Sequence, residues 1–337
     1  FRELFDNKDD ESFNQELEQI KSLSYHYKKF INPVTVKDQI VPKELDYINR
    51  LEINVVYPFL LQVFEDEDNG LLSKDELVAI LQLIQSYTWR RFIVGLPTNA
   101  LNKIFMTLYS EVDTENYYES IAVALLKKKG SGRFPTDDDL KFALKDKDLY
   151  NVQPKNKYYM FEKLENYNNK EFVDTNNELI TIEHIFPQNP DSNWSSELPE
   201  EEYLLFKEKY LNTIGNLTLS GNNGALGNRS FIAKKMMDFN NNEQGYIYSR
   251  LWLNKYLSSI DKWDVANYKK RTELLTYRFF DVWKYPAVVL DETEEFDEVN
   301  IFDADIPTGK KLEFFIFEDQ KVEENTISQM YLYVIRA

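Results

Sequence analysis

Cysteine is absent from all 337 residues, which excludes disulfides, zinc-finger staples and thiol nucleophiles outright. Histidine is nearly absent: His26 and His184 are the only two, so imidazole chemistry has at most two addresses. No run of about 18 apolar residues occurs, which excludes a membrane-spanning helix, and no signal-peptide pattern opens the chain. The expected location is therefore the cytoplasm. Positive charge is also in short supply, with 40 Lys and Arg against 57 Asp and Glu and a net charge of −17. Nucleic-acid backbones are gripped by Lys and Arg, so this balance argues against a broad nucleic-acid-binding face. Aromatic residues, by contrast, make up 15% of the chain, too many for a disordered polymer. The length allows two or three domains, with a core large enough to fold independently.

The first half reads as helical. Residues 1–31 place Phe13, Leu17, Ile20 and Leu23 at helical spacing, Pro33 and Pro42 interrupt, and residues 44–64 resume the pattern with Leu45, Ile48, Leu51 and Val55. Further helices are expected from Ser73 through Trp89, from Asn99 to Ser110, and over 115–127 and 137–146. Residues 243–283 read as two more. Beyond Pro286 the acidic stretch DETEEFDEVN reads as a linker, and KLEFFIFEDQKVEEN alternates in β fashion around a turn near Asp319. The acidic segment EDEDNGLLSKDE (65–76) can be laid on a calcium loop, but Glu65 and Glu67 stand where shorter Asp or Asn is wanted. A loop ended by a Ser73–Glu76 capping box explains it more simply. Arg90 and Arg91 read as charge compensation at a helix C-terminus. His26, between two tyrosines, reads as a surface or half-buried side chain.

One segment is dense in chemistry: ELITIEHIFPQNP (178–190), followed by NTIGNLTLSGNNGALGNRSFIAKK (212–235). A strand ends in Glu183 and His184. A second strand follows, then an asparagine-rich loop, then a helix-like stretch with two lysines. That order of parts is that of a ββα-metal (HNH, or His-Me finger) nuclease. Phosphodiester hydrolysis explains the residue types. A neutral imidazole can deprotonate water near neutral pH. A divalent cation can bind the phosphate and offset charge on the leaving oxygen, and magnesium needs few protein oxygens. Glu183 and an asparagine of the 222–228 loop (Asn222, Asn223 or Asn228) can supply two. Asn216 is better suited to bracing backbone. Between Leu205 and Met236, five bases (Lys207, Lys209, Arg229, Lys234 and Lys235) face the single acid Glu208, so the scarce positive charge gathers here.

The blocks I-E-H-I-x-P-Q, I-G-N-L-T-L, N-x-x-L-x-N and F-x-x-K, with a tryptophan after the first, resemble the C-terminal nuclease domain of GmrSD-type modification-dependent restriction enzymes. The likeness continues through Trp263, Arg271 and Trp283, takes in SYTWRRFIVGLPTNALNKIF (86–105), and covers roughly 45–285. It implies His184 as general base, Glu183 as a ligand of Mg2+ or Mn2+, Asn216 as the structural asparagine and Asn223 as the last catalytic and ligand position. Glu and Asn stand here where many HNH enzymes have Asp and His. It also implies an N-terminal nucleotide-dependent domain with an acidic-Gly-Gln-Gln-Arg motif. That motif is missing, so the chain reads as a fragment of a longer protein.

The expected architecture is α+β, mainly α: a helical region (1–170), an HNH-like nuclease domain with supporting helices (171–286), and an acidic linker with a small, truncated α/β appendage (287–337). The expected function is metal-dependent cleavage of DNA, in restriction of modified foreign DNA, with Arg229, Lys234 and Lys235 on the DNA backbone. A degenerate scaffold acting as a regulatory module and an RNA-directed nuclease are the alternatives.

Overall fold

A computed structural model describes residues 10–290, 312, 314–318, 320–323 and 326–336. Eight helices come first: α1 (Asp10–Ile31), α2 (Val41–Arg50), α3 (Tyr57–Asp68), α4 (Lys74–Val94), α5 (Asn99–Leu108), α6 (Tyr117–Leu126), α7 (Asp137–Asp146) and α8 (Pro154–Asn166). The single helix expected over 44–64 is two, because Glu52 takes a left-handed φ of 57° and Pro58 opens the next helix. Helix α4 is central and buried on nearly every side. It begins at the Ser73–Glu76 capping box and ends at Gly95, whose φ of 77° suits a left-handed helix cap. The acidic stretch starting at Glu65 continues α3 to Asp68 rather than opening a loop. Helix α8 was not anticipated individually, although Pro154 at its start is an ordinary N-terminal signal.

The only strands in the second half of residues 10–290 are β1 (Thr181–His184) and β2 (Leu217–Ser220). They pair antiparallel, with Glu183 opposite Thr218 and His184 opposite Leu217. Short helices α9 (Trp194–Glu197) and α10 (Glu200–Leu205) lie between them, and α11 (Asn223–Leu226) and α12 (Phe231–Met236) follow. Two supporting helices then close the unit: α13 (Trp252–Ser259) and α14 (Val265–Val282). Farther on, β3 (Phe315–Phe317) and β4 (Gln320–Val322) form a hairpin before α15 (Ile327–Arg336). The expected acidic linker at 291–300 and the turn at Asp319 lie outside the described residues.

One apolar core runs from Phe30 through Leu164 and also takes in Ile182, Leu217, Leu219, Leu275, Phe279 and Trp283. It crosses position 170, where a boundary was expected. A second, aromatic core gathers Ile185, Phe186, Trp194, Phe206, Phe231 and Trp263. The β1–β2 ribbon lies between the two. Three ties fix it there. Glu165 of α8 accepts the backbone N–H groups of Trp252 and Leu253 at 2.6 and 2.9 Å, which satisfies the start of α13. Trp283 donates to the Tyr159 hydroxyl at 2.7 Å. Fully buried Arg271 donates to the carbonyls of Ile214, Gly215 and Leu253, and burial pushes its pKa down to about 9. Gly215 is required at this crossing, since a Cβ there would collide with Thr272 and Tyr268. Arg90 is likewise an interior tie, donating to Trp283 O at 2.7 Å and Pro135 O at 3.0 Å rather than compensating a helix end. His26, expected near the surface, is fully buried against Glu65.

Candidate active site

β1 delivers Glu183 and His184 side by side, and the two side chains enter different surroundings. The turn after His184 is held by Asn216. Its Oδ1 accepts Phe186 N at 2.8 Å, and its Nδ2 donates to Phe186 O and Leu211 O, both at 2.9 Å. Trp263 Nε1 adds a bond to Oδ1 at 3.3 Å. Asn216 is fully buried by these contacts, so it braces the loop and cannot touch a substrate.

His184 is 7% exposed. Its Nε2 lies 3.1 Å from Asn212 Oδ1, and the Tyr150 ring packs on it with centroids 4.3 Å apart. Burial, helped by the nearby charges of Lys234 and Lys157, holds the imidazole below its usual value and outweighs the opposing pull of Asn212 and Asp148. The shift favours the neutral ring, the form a base needs.

Glu183 is 3% exposed, and its Oε1 meets Lys234 Nζ at 2.5 Å. The same ammonium donates to the backbone oxygen of His184 at 2.6 Å. Burial raises the carboxyl and lowers the ammonium, each resisted by the attraction of the other. Two expectations change here. Lys234, expected on the DNA backbone, is fully buried, because α12 seats Phe231 in the aromatic core and passes the lysine stem beneath β1. Lys235 is also turned inward, donating to Ile260 O at 2.8 Å and to Asp261 at 3.0 Å. Of the three bases expected at phosphate, Arg229 alone is exposed, its guanidinium folded back on Ala225 O.

The expected cation fits this arrangement poorly. Glu183, its carboxylate ligand, is already neutralised by an ammonium. Asn223 Nδ2 is tied to Thr181 Oγ1 at 3.1 Å and Ile182 O at 2.9 Å, which pins α11 to β1. Asn222 donates to Gln244 O at 3.3 Å, and exposed Asn228 offers its backbone oxygen to Asp191 N at 3.0 Å. Among the described residues no group of three or more His, Cys, Asp or Glu gathers to hold a metal ion.

Three residues at His184 went unnoticed in the sequence: Asp148, Tyr150 and Asn212. Asn212 opens the NTIGNL block, a pattern that marks its neighbourhood but not its role. Asp148 belongs to D-x-Y-N, a pattern in which an aspartate caps the backbone two and three residues on. Its Oδ1 accepts Tyr150 N at 3.0 Å and Asn151 N at 2.9 Å.

Residues 134–277 match the family model described as GmrSD restriction endonucleases, C-terminal domain. That stretch is a GmrSD C-terminal domain. No curated protein matches the chain. The GmrSD match contains β1, β2 and α7 to α13, so it brings Asp148 and Tyr150 into the same matched stretch as His184. No helix among the described residues is long and apolar enough to cross a membrane.

Proposed function

We propose that the chain hydrolyses phosphodiester bonds of DNA, within restriction of modified DNA, with His184 as general base. Its β1–β2 ribbon followed by α11 and α12 has the strand, strand, helix order of a ββα-metal nuclease. The observation that carries the proposal is the buried imidazole at the end of β1, inside the stretch that matches the GmrSD C-terminal domain, with the turn after it braced by fully buried Asn216. Such an imidazole takes a proton from an attacking water, and its rigid setting fixes where that water must sit. Arg229 is the base available to a phosphate nearby. The chain's net charge of −17 repels DNA elsewhere, so delivery falls to another domain or partner, for which a nucleotide-dependent domain is the natural candidate.

The ion pair at Glu183 supports no step through a metal. Plasmid and RNA cleavage are therefore to be compared with magnesium, with manganese and with chelator, for wild type and His184→Ala. His184→Ala should lose about 10²- to 10⁴-fold in rate and keep its circular-dichroism spectrum. Wild-type cleavage by the pure variant would remove His184 from the chemistry, and cleavage of RNA alone would change the substrate class. A non-catalytic regulatory scaffold is the second reading, favoured by one observation: the sealing of Glu183 by Lys234. It predicts no cleavage by wild type under any of these conditions.

A further inference from the structure

We propose that Asp148 and Asn212 are positioning residues that hold His184 as the Nε2–H tautomer, leaving Nδ1 as its one proton-accepting nitrogen. The inference follows from donor and acceptor inventory and rests on the reading of His184 as a base only for its functional consequence. An ionised carboxylate can only accept hydrogen bonds. Asp148 is kept ionised: partial burial pushes its carboxyl up, but hydrogen bonds from Asn151 and Asn212 together overcome this and lower it. Its Oδ2 accepts from Asn151 Nδ2 at 2.8 Å and from Asn212 Nδ2 at 3.1 Å. The Asn212 amide is thereby oriented, with nitrogen toward Asp148 and oxygen toward His184. Reversed, two acceptors would face each other at Asp148. The Asn212 Oδ1 that meets His184 Nε2 at 3.1 Å can only accept, so Nε2 must carry the hydrogen. A neutral imidazole has one N–H, and Nδ1 is left with its lone pair.

The pair is built rigidly. Leu149 N donates to Asn212 O at 2.9 Å, which locks the Asp148 turn to the segment before β2. Lys157 of α8 donates to Tyr150 O at 3.0 Å and sits 4.3 Å over the Tyr150 ring, which in turn packs on His184. Asp148 thus does for this imidazole, through an intervening amide, what an orienting carboxylate does directly in a nucleophile–base–orienter triad.

Because the chain has two histidines, long-range 1H–15N NMR on histidine-labelled protein reads both rings without crowding. His184→Ala assigns the signals by deleting one set. The expected result is a protonated Nε2 on His184 with slow exchange, lost in Asn212→Ala. The exchanged pair Asp148→Asn with Asn212→Asp keeps an acceptor at Nε2 and a donor behind it, so it should restore that signal. Cleavage should follow: Asn212→Ala loses roughly 10- to 100-fold in kcat with KM little changed, and the exchanged pair recovers most of it. A protonated Nδ1 in wild type, an Nε2 signal untouched by Asn212→Ala, or an exchanged pair no better than the alanine variant would each overturn the proposal. If His184→Ala cleaves like wild type, the assignment of the base fails while the NMR result still decides the tautomer, so the two failures are distinguishable.

Discussion

Glu183 and His184 are neighbours on one strand, equally hidden from water, yet they are treated in opposite ways. Glu183 is paired with Lys234 at 2.5 Å, both side chains buried. His184 is kept neutral and meets a graded polar path, Asn212 then Asp148, that leads toward the surface. A buried charge that is already paired has little left to offer a ligand, whereas a buried neutral base with one free nitrogen is still able to react. Burial alone therefore does not separate a structural group from a chemical one; what does is whether all of its bonding capacity is used.

The sharpest way to break the comparison is Lys234→Ala, which strands the Glu183 carboxylate. Stability should fall by about 3–5 kcal/mol, the usual cost of an uncompensated buried charge. Glu183→Leu with Lys234→Met removes both charges and should return close to wild type in urea unfolding. If Lys234→Ala is tolerated, the pair is open to water and Glu183 is free to take a ligand after all. A smaller effect comes from pH. Burial lowers the folded-state pKa of His184 and of His26 below 6.5. Protonation then favours the unfolded chain, so stability is present above about pH 6.5 and is lost as the pH falls below it. Glu183 runs the other way: its raised pKa contributes stability below the usual carboxyl value that is lost as pH rises. The melting temperature should therefore drop between pH 7.5 and 5.5, less steeply in His184→Ala, and equal slopes would mean His184 is better solvated than its packing implies. Smallest of all is Lys235→Ala. Its partner Asp261 has a side chain 97% exposed, so the loss should be about 1 kcal/mol or less in the same unfolding measurement.

The sequence disclosed the ribbon, the position of His184 and the bracing asparagine because each is written in local pattern: strand, acid, histidine, then Gly-Asn-Leu. It misled at Lys234 and Lys235 because a lysine on a short helix carries no mark of which side will be covered; that depends on Phe231 and Trp263 packing from elsewhere. Asp148 and Tyr150 were invisible as site residues for a related reason, being brought to His184 only by the pairing of Leu149 with Asn212 across 63 positions of chain. Helical spacing located most of the first half but not the break at Glu52, which is set by one backbone angle.

Helix α8 joins these two histories. Its lead-in turn carries Asp148 and Tyr150 to His184, its Tyr159 receives Trp283, and its Glu165 seats α13. A piece starting at 171 would uncover Ile182, Leu217 and Leu219 and leave the imidazole with neither orienting carboxylate nor covering ring. The β1–β2 ribbon is thus a tenant of the helical part and not a portable cassette, and the setting of His184 is inherited from a helix outside it.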